Sequence, residues 1–86
     1  MEYLLEGVRV LDVASYVAGP AAATVMADFG ADVIKVERPR GGDDARQWGR
    51  MFPDGTSSYF HALNRDKRGI TIDMSNAEER DWLRTF

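Results

Sequence analysis

The spacing of apolar residues changes several times along the chain, and each change marks an element. Gly7-Val8-Arg9-Val10-Leu11-Asp12-Val13 is rich in β-branched residues and alternates only in part, as a strand covered on both faces does. Pro20 suits the first turn of a helix. Ala21 to Phe29 follow with Val25, Met26 and Phe29 on one face, and Gly30 stands where a helix stops. Val33-Ile34-Lys35-Val36-Glu37 reads as a second strand, and the 14 residues from Gly19 to Val33 suit a crossover between parallel strands. Residues 38–56 are irregular and rich in Gly, Asp, Arg and Pro. Their Trp48 and Phe52 make them a functional loop rather than a linker. Ser57 to Leu63 is expected as a short helix with Tyr59, Phe60 and Leu63 inward, followed by a charged turn over Asn64 to Gly69. Ile70 to Met74 alternates as a third strand. Ser75-Asn76-Ala77-Glu78 has the spacing of a capping box, opening a helix that continues through Phe86 with no Gly or Pro stop. The order is α/β: a βαβ unit, a third strand and a following helix.

A chain of 86 residues is one domain at most, and at this size only about 60% of the unfolded surface is buried. With its last helix running to Phe86, the chain is expected to be a fragment of a larger enzyme, a frayed natural C-terminus being the alternative. Alone it should expose apolar faces and aggregate or take a partner. No cysteine is present, which excludes disulfides and thiolate metal sites. The start carries no basic stretch before an apolar run, so a cytoplasmic location without membrane insertion is expected. Charge is uneven beneath a net −3. Residues 38–68 hold seven of the 11 Lys and Arg against four of the 14 Asp and Glu, a local +3. A basic island in an acidic chain fits a local anionic ligand better than nucleic acid.

Parallel sheets bind ligands beyond the carboxyl ends of their strands, here Ser15 to Ala18, Glu37-Arg38 and Met74-Ser75. The small residues of Ala18-Gly19-Pro20 either let the backbone approach a ligand closely or serve close packing in a plain strand-to-helix turn. Glu37 stands where an acid would bind a ribose hydroxyl, with Arg38 beside it for a phosphate. Alternatively Arg38 is a surface arginine paired with Glu37 or Asp43. A nicotinamide cofactor is not expected, because one glycine stands where three are needed. Arg46, Arg65, Lys67 and Arg68 are open to two readings, added phosphate contacts or a solvated turn. His61 has no second His or Cys and reads as a surface or packing residue. Asp12 and Asp73 suit structural hydrogen bonding better than nucleophilic attack, and no triad or paired-carboxylate spacing stands out.

Five stretches together resemble the class III coenzyme A transferases, the superfamily of formyl-CoA transferase, carnitine CoA-transferase and the α-methylacyl-CoA racemases. They are Leu5-x-Gly7-Val8-Arg9-Val10-Leu11-Asp12, Ala18-Gly19-Pro20, the run from Asp28 to Pro39, Gly42-Asp43, and the spaced residues from Ser57 to Asp73. The resemblance implies that the chain is the N-terminal part of a Rossmann-like parallel-sheet domain, from a protein that forms interlocked homodimers. It implies CoA thioesters and carboxylic acids as substrates, with no tightly bound cofactor. Arg38 would contact the adenosine phosphate region, Val17 and Ala18 would line the pantetheine and thioester end, and Ile72 with Ser75 would flank the adenine. Members often carry lysine where Ser75 stands. Formyl-CoA transferase has a catalytically important glutamine at the position of Val17, so formate and oxalate are not implied as substrates. The family reaction opens with an aspartate attacking the thioester to give an enzyme-bound anhydride. That aspartate, like the His and Asp of the racemases, lies downstream of residue 86 in members, so no catalytic residue is assigned and the 86-residue chain alone is expected to be inactive. An α-methylacyl-CoA racemase and a non-catalytic CoA-binding or interaction module are the alternatives.

Overall fold

The alternation of β2 (Asp32–Glu37) organises the molecule, because its two faces are covered by different helices. The computed structural model describes residues 3–86. Val33 packs toward α1 (Ala18–Asp28), forming an apolar cluster with Ala23 and Ala31 that Leu5, Val10 and Ala27 extend. Val36 points the other way and is buried with Ile72 and with Leu83 of α3 (Ala77–Leu83). β1 (Arg9–Asp12) and β3 (Arg68–Thr71) flank β2, both parallel to it, in the order β1-β2-β3. Register pairs Val10 with Val33 and Asp12 with Lys35 on one side, and Glu37 with Thr71 on the other. The expected α/β parallel sheet with intervening helices is therefore present. A 3₁₀ turn (Asp44–Gln47) and α2 (Ser58–Leu63) close the rest of the α1 side.

Several boundaries differ from the sequence expectation, each for a local reason. α1 begins at Ala18, before Pro20, and ends in a Schellman arrangement. Gly30 N–H donates to Ala27 O (3.0 Å) and Ala31 N–H to Met26 O (3.1 Å). Gly30 has φ +97°, and a Cβ there would meet Tyr3 Cβ at 2.3 Å, so a glycine is required twice over. β3 starts two residues early, at Arg68, whose guanidinium forks onto Asp32 at 3.1 and 2.7 Å. It stops at Thr71 because Asp73 Oδ1 accepts both the N–H (3.0 Å) and the hydroxyl (2.6 Å) of Ser75, folding the chain into a turn. The expected capping box moves accordingly. Asn76, not Ser75, caps α3, accepting from Glu79 N–H at 3.1 Å, and Glu79 rather than Glu78 reaches back, to Asp73 N–H at 3.3 Å. α3 ends at Leu83 instead of continuing to Phe86. The Thr85 hydroxyl donates to Trp82 O at 2.6 Å, and the last residues form a turn. In α2, Tyr59 is exposed instead of inward, with its ring against Trp48. Among the described residues no helix is long and apolar enough to cross a membrane.

Candidate functional site

The carboxyl ends of the three strands open onto a cleft. A cavity of about 130 Å³ lies there, bordered by Val13, Ser15, Glu37, Arg38, Asp43 and Met74. A second, shallower one of about 420 Å³ continues over Arg38, Pro39, Arg40, Asp73 and Ser75. Arg38 borders both.

The face of the sheet that α1 covers changes character along its length. Its lower half is apolar, Val10 beside Val33. Its upper half carries Asp12 beside Lys35, with Glu37 one step on. Under the 3₁₀ turn these join Asp43 and Lys67 in a buried chain of alternating charges. Lys67 Nζ lies 2.8 Å from Asp12 Oδ2, Lys35 Nζ 3.7 Å from the same oxygen, and Lys35 Nζ 2.8 Å from Asp43 Oδ2. All four side chains are at most 3% exposed, so the charges must satisfy one another. The last contact is a close charge pairing without hydrogen-bond alignment. Remaining protons find carbonyls or amides: Lys67 donates to Pro20 O (2.8 Å) and Asn64 Oδ1 (2.7 Å), and Lys35 to Ala14 O (3.1 Å). Burial pulls the Lys67 ammonium below its usual value, with Asp12 opposing. Burial also opposes ionisation of Asp43, yet Lys35 and the N–H donors of Ala45 and Tyr16 outweigh it and hold the carboxyl below the ordinary range.

These positions settle several open readings. Asp12 is structural, and Lys67 is neither a phosphate contact nor a solvated turn residue but a buried bracket between β1, α1 and α2. Gly19 serves packing: a Cβ there would meet Ala14 Cβ at 2.2 Å. Glu37 is occupied, its two oxygens each 2.7 Å from the Arg46 guanidinium, with Oε2 also accepting Asp43 N–H at 3.0 Å. Burial works against its charge, but these partners hold its carboxyl below the usual value. A ribose hydroxyl would have to displace Arg46. Arg46 in turn lies 3.9 Å above the Phe60 ring. Arg65 pairs with Asp28 on the surface at 2.7 Å. His61 is exposed beside Phe52.

Arg38 is exposed and paired with Asp44, not with Glu37 or Asp43. Ser75 shares the shallower cavity with it, its hydroxyl turned to Asp73. Val17 stands at the N-cap of α1 with no side-chain cap, and Val17 and Ala18 are both exposed. Ile72 is 2% exposed as a whole residue, packed against Val36 and Leu83 with its N–H donated to Glu37 O (2.9 Å), so neither its side chain nor its main chain is open to a ligand in this structure. Two features had no signal in the sequence. Arg40 lines the shallower cavity and makes no ion pair among the described residues. Tyr16 has φ 68°, with its N–H donated to Asp43 Oδ1 (3.2 Å) and its hydroxyl to Asp44 Oδ2 (2.7 Å). That hydroxyl, with Arg38, keeps Asp44 below its ordinary value, and the same bond raises the phenol. Among the described residues no group of three His, Asp or Glu is arranged to hold a metal ion.

The cleft can be compared with known proteins over most of the chain. The family described as CoA-transferase family III matches residues 5–86. Succinate–glutarate CoA-transferase of Agrobacterium fabrum is 50% identical over 80 residues, which is 86% of this chain and 20% of that protein. Formyl-CoA:oxalate CoA-transferase of Bradyrhizobium sp. is 46% identical over 83 residues, 96% of this chain and 20% of that one. The crystal structure of a CAIB/BAIF family protein from Brucella suis superposes with a TM-score of 0.84 at 43% identity, covering 98% of this chain and 23% of that one. The chain spans about a fifth of the length of the curated relatives it matches. With the family match running from Leu5 to Phe86 and the same fold in a close relative, the chain belongs to CoA-transferase family III.

Proposed function

We propose that the whole protein carrying this chain transfers coenzyme A between carboxylic acids, and that residues 1–86 are the N-terminal part of its Rossmann-like domain, contributing contacts to the nucleotide side of CoA. The observation that carries this is Arg38 bordering both cavities at the carboxyl edge of the sheet in a member of this family. Its partner Asp44 is no obstacle. The pair is solvent-exposed, 60% and 39% by side chain, and such pairs are worth at most about 1 kcal/mol, so a doubly charged phosphate can displace the carboxylate. Arg40 and Ser75 complete the adenosine end in this reading, with Ile72 packed beneath it as part of the core, while Val17 and Ala18 face the pantetheine arm.

Chemistry follows the family reaction. An aspartate outside this chain attacks the thioester carbonyl, the C–S bond breaks, and CoA leaves as thiolate while an aspartyl anhydride forms. The thiolate then takes the aspartyl carbonyl, releasing the donor acid. The two steps run in reverse with the acceptor: its carboxylate attacks the aspartyl thioester and expels the thiolate, which attacks the acceptor's carbonyl of the new anhydride and frees the aspartate. Asp43 and Asp73, the aspartates bordering the cleft, are already committed to Lys35, Tyr16 and Ala45 and to Ser75 respectively, which supports a nucleophile supplied elsewhere. Residues 1–86 alone are inactive in this reading. The names of two relatives include succinate or succinyl and glutarate, C4 and C5 dicarboxylates, so a dicarboxylate acceptor is proposed. Val17, in place of the glutamine of formyl-CoA transferase, argues against a formyl donor. A cytoplasmic homodimer belongs to the same proposal.

The test is to incubate the full-length protein with succinyl-CoA and glutarate and follow glutaryl-CoA by mass spectrometry. Transfer is expected. Exchange of the α-hydrogen of a 2-methylacyl-CoA without transfer would overturn the proposal in favour of a racemase. In a CoA titration of the full-length protein, Arg38→Ala is expected to weaken binding about tenfold or more, the loss of one charged hydrogen-bonded contact worth about 1.5 to 3 kcal/mol.

A further inference from the structure

Asp43 reaches three parts of the cleft at once. Its N–H donates to Glu37 Oε2 at the end of β2 (3.0 Å). Its Oδ1 accepts from Ala45 N–H (2.9 Å), which caps the 3₁₀ turn, and from Tyr16 N–H (3.2 Å) in the segment after β1. Its Oδ2 faces the buried Lys35 ammonium. Tyr16 requires such a hold, because φ 68° is the left-handed region that a bulky side chain rarely adopts, and it persists only where the surroundings fix it. Both hydrogen bonds of Tyr16, to Asp43 and Asp44, come from the 38–56 loop, as does the Trp48 ring 5.1 Å from its own. Of the residues this fixes, Ser15 borders the inner cavity, and exposed Val17 and Ala18 follow it at the start of α1, outside the lining of both cavities.

We infer that Asp43 is a positioning residue of the substrate site, setting the left-handed turn at Tyr16 and through it the main chain of residues 15–18 against the pantetheine arm. Lys35 keeps the buried carboxylate ionised beneath that turn. The inference rests on the CoA-binding reading above. A purely structural Asp43 would instead matter only as one charge of the buried chain.

Two double variants of the full-length protein separate these roles. Lys35→Met/Asp43→Asn and Lys35→Met/Asp43→Ala both remove the charge pair, so neither leaves a lone buried charge. Only the asparagine keeps an acceptor for Tyr16 N–H. In calorimetric titration with CoA, the alanine pair is expected to raise Kd about tenfold, and the asparagine pair to recover most of that loss. Hydrogen exchange at the Tyr16 amide should quicken in the alanine pair and slow again in the asparagine pair. Asp43→Glu asks the same question in a chain that keeps its charge, by moving the carboxylate one methylene. It is expected to weaken CoA binding and to quicken hydrogen exchange at the Tyr16 amide. Equal CoA affinities for the two double variants, or wild-type affinity in Asp43→Glu, would overturn the inference and leave the CoA-binding reading intact. No CoA binding by the wild-type protein would overturn both.

Discussion

Lys67→Met would leave the buried Asp12 carboxylate with a single cation, Lys35 at 3.7 Å, and strip donors from Pro20 O and Asn64. Breaking a buried pair from one side costs about 3–5 kcal/mol, whereas an exposed pair such as Arg65–Asp28 is worth at most about 1 kcal/mol. Urea unfolding of the full-length protein should therefore separate Lys67→Met sharply from Arg65→Ala. A similar, small effect of both would mean that Lys67 is not buried in solution. Nothing local in the sequence marks this difference. Lys67 and Arg65 share one charged stretch, and what distinguishes them is a partner 55 residues away for one and a surface aspartate for the other. The same holds for Arg38, legible as a phosphate-binding candidate, and Arg40, which only the cavity reveals.

At the scale of elements, periodicity located every strand and helix of the sheet but misjudged where they stop. Patterns of apolar residues report what a segment buries, while ends are decided by whichever side chain captures the free backbone groups. Asp73 takes Ser75 into a turn, and the cap of α3 passes to Asn76. Asn76→Ala is accordingly expected to cost about 0.5–2 kcal/mol in thermal or urea unfolding, and Ser75→Ala less, since its hydroxyl serves only the turn. The reverse order of the two costs would restore the capping box read from the sequence. The 38–56 loop is the element least legible in advance. Its 3₁₀ turn hangs on Asp43, and Ser57 ties it to α2 by donating to Ala45 O at 3.0 Å, contacts that follow no period.

Across the whole molecule, one face of the sheet is apolar below and ionic above, and acid should attack the ionic half first. Among the described residues five carboxyls are held below their ordinary values, of which Asp54 is exposed and Asp44 and Asp73 are partly exposed, so that solvent screens all three. Glu37 and Asp43 remain. Because their folded values lie below the unfolded ones, the unfolded chain binds more protons between the two. Their contribution is complete above the unfolded carboxylate range, near pH 4 to 5, and is lost as the pH falls through the folded values. Unfolding free energy of the full-length protein measured from pH 7 downward should stay level and then fall below about pH 4, with a shallower fall in Lys35→Met/Asp43→Asn. An identical slope in that variant would show that Asp43 contributes nothing to acid stability. The sequence by itself determined the parallel α/β order, the family and Arg38 as the residue to watch, because burial periods and the motif residues that carry the resemblance are written in neighbouring positions. Only the tertiary structure decided that most of the basic island is consumed by internal partners, that Gly19 serves packing, and that Asp43 governs the turn at Tyr16. The roles of Lys67 and Asp43 depend on charges and chain directions meeting from segments 55 and 27 residues apart, and no local pattern carries the energy of such a meeting; even the short-range partners of Gly19, Arg38 and Arg46 are fixed by chain path and not by period.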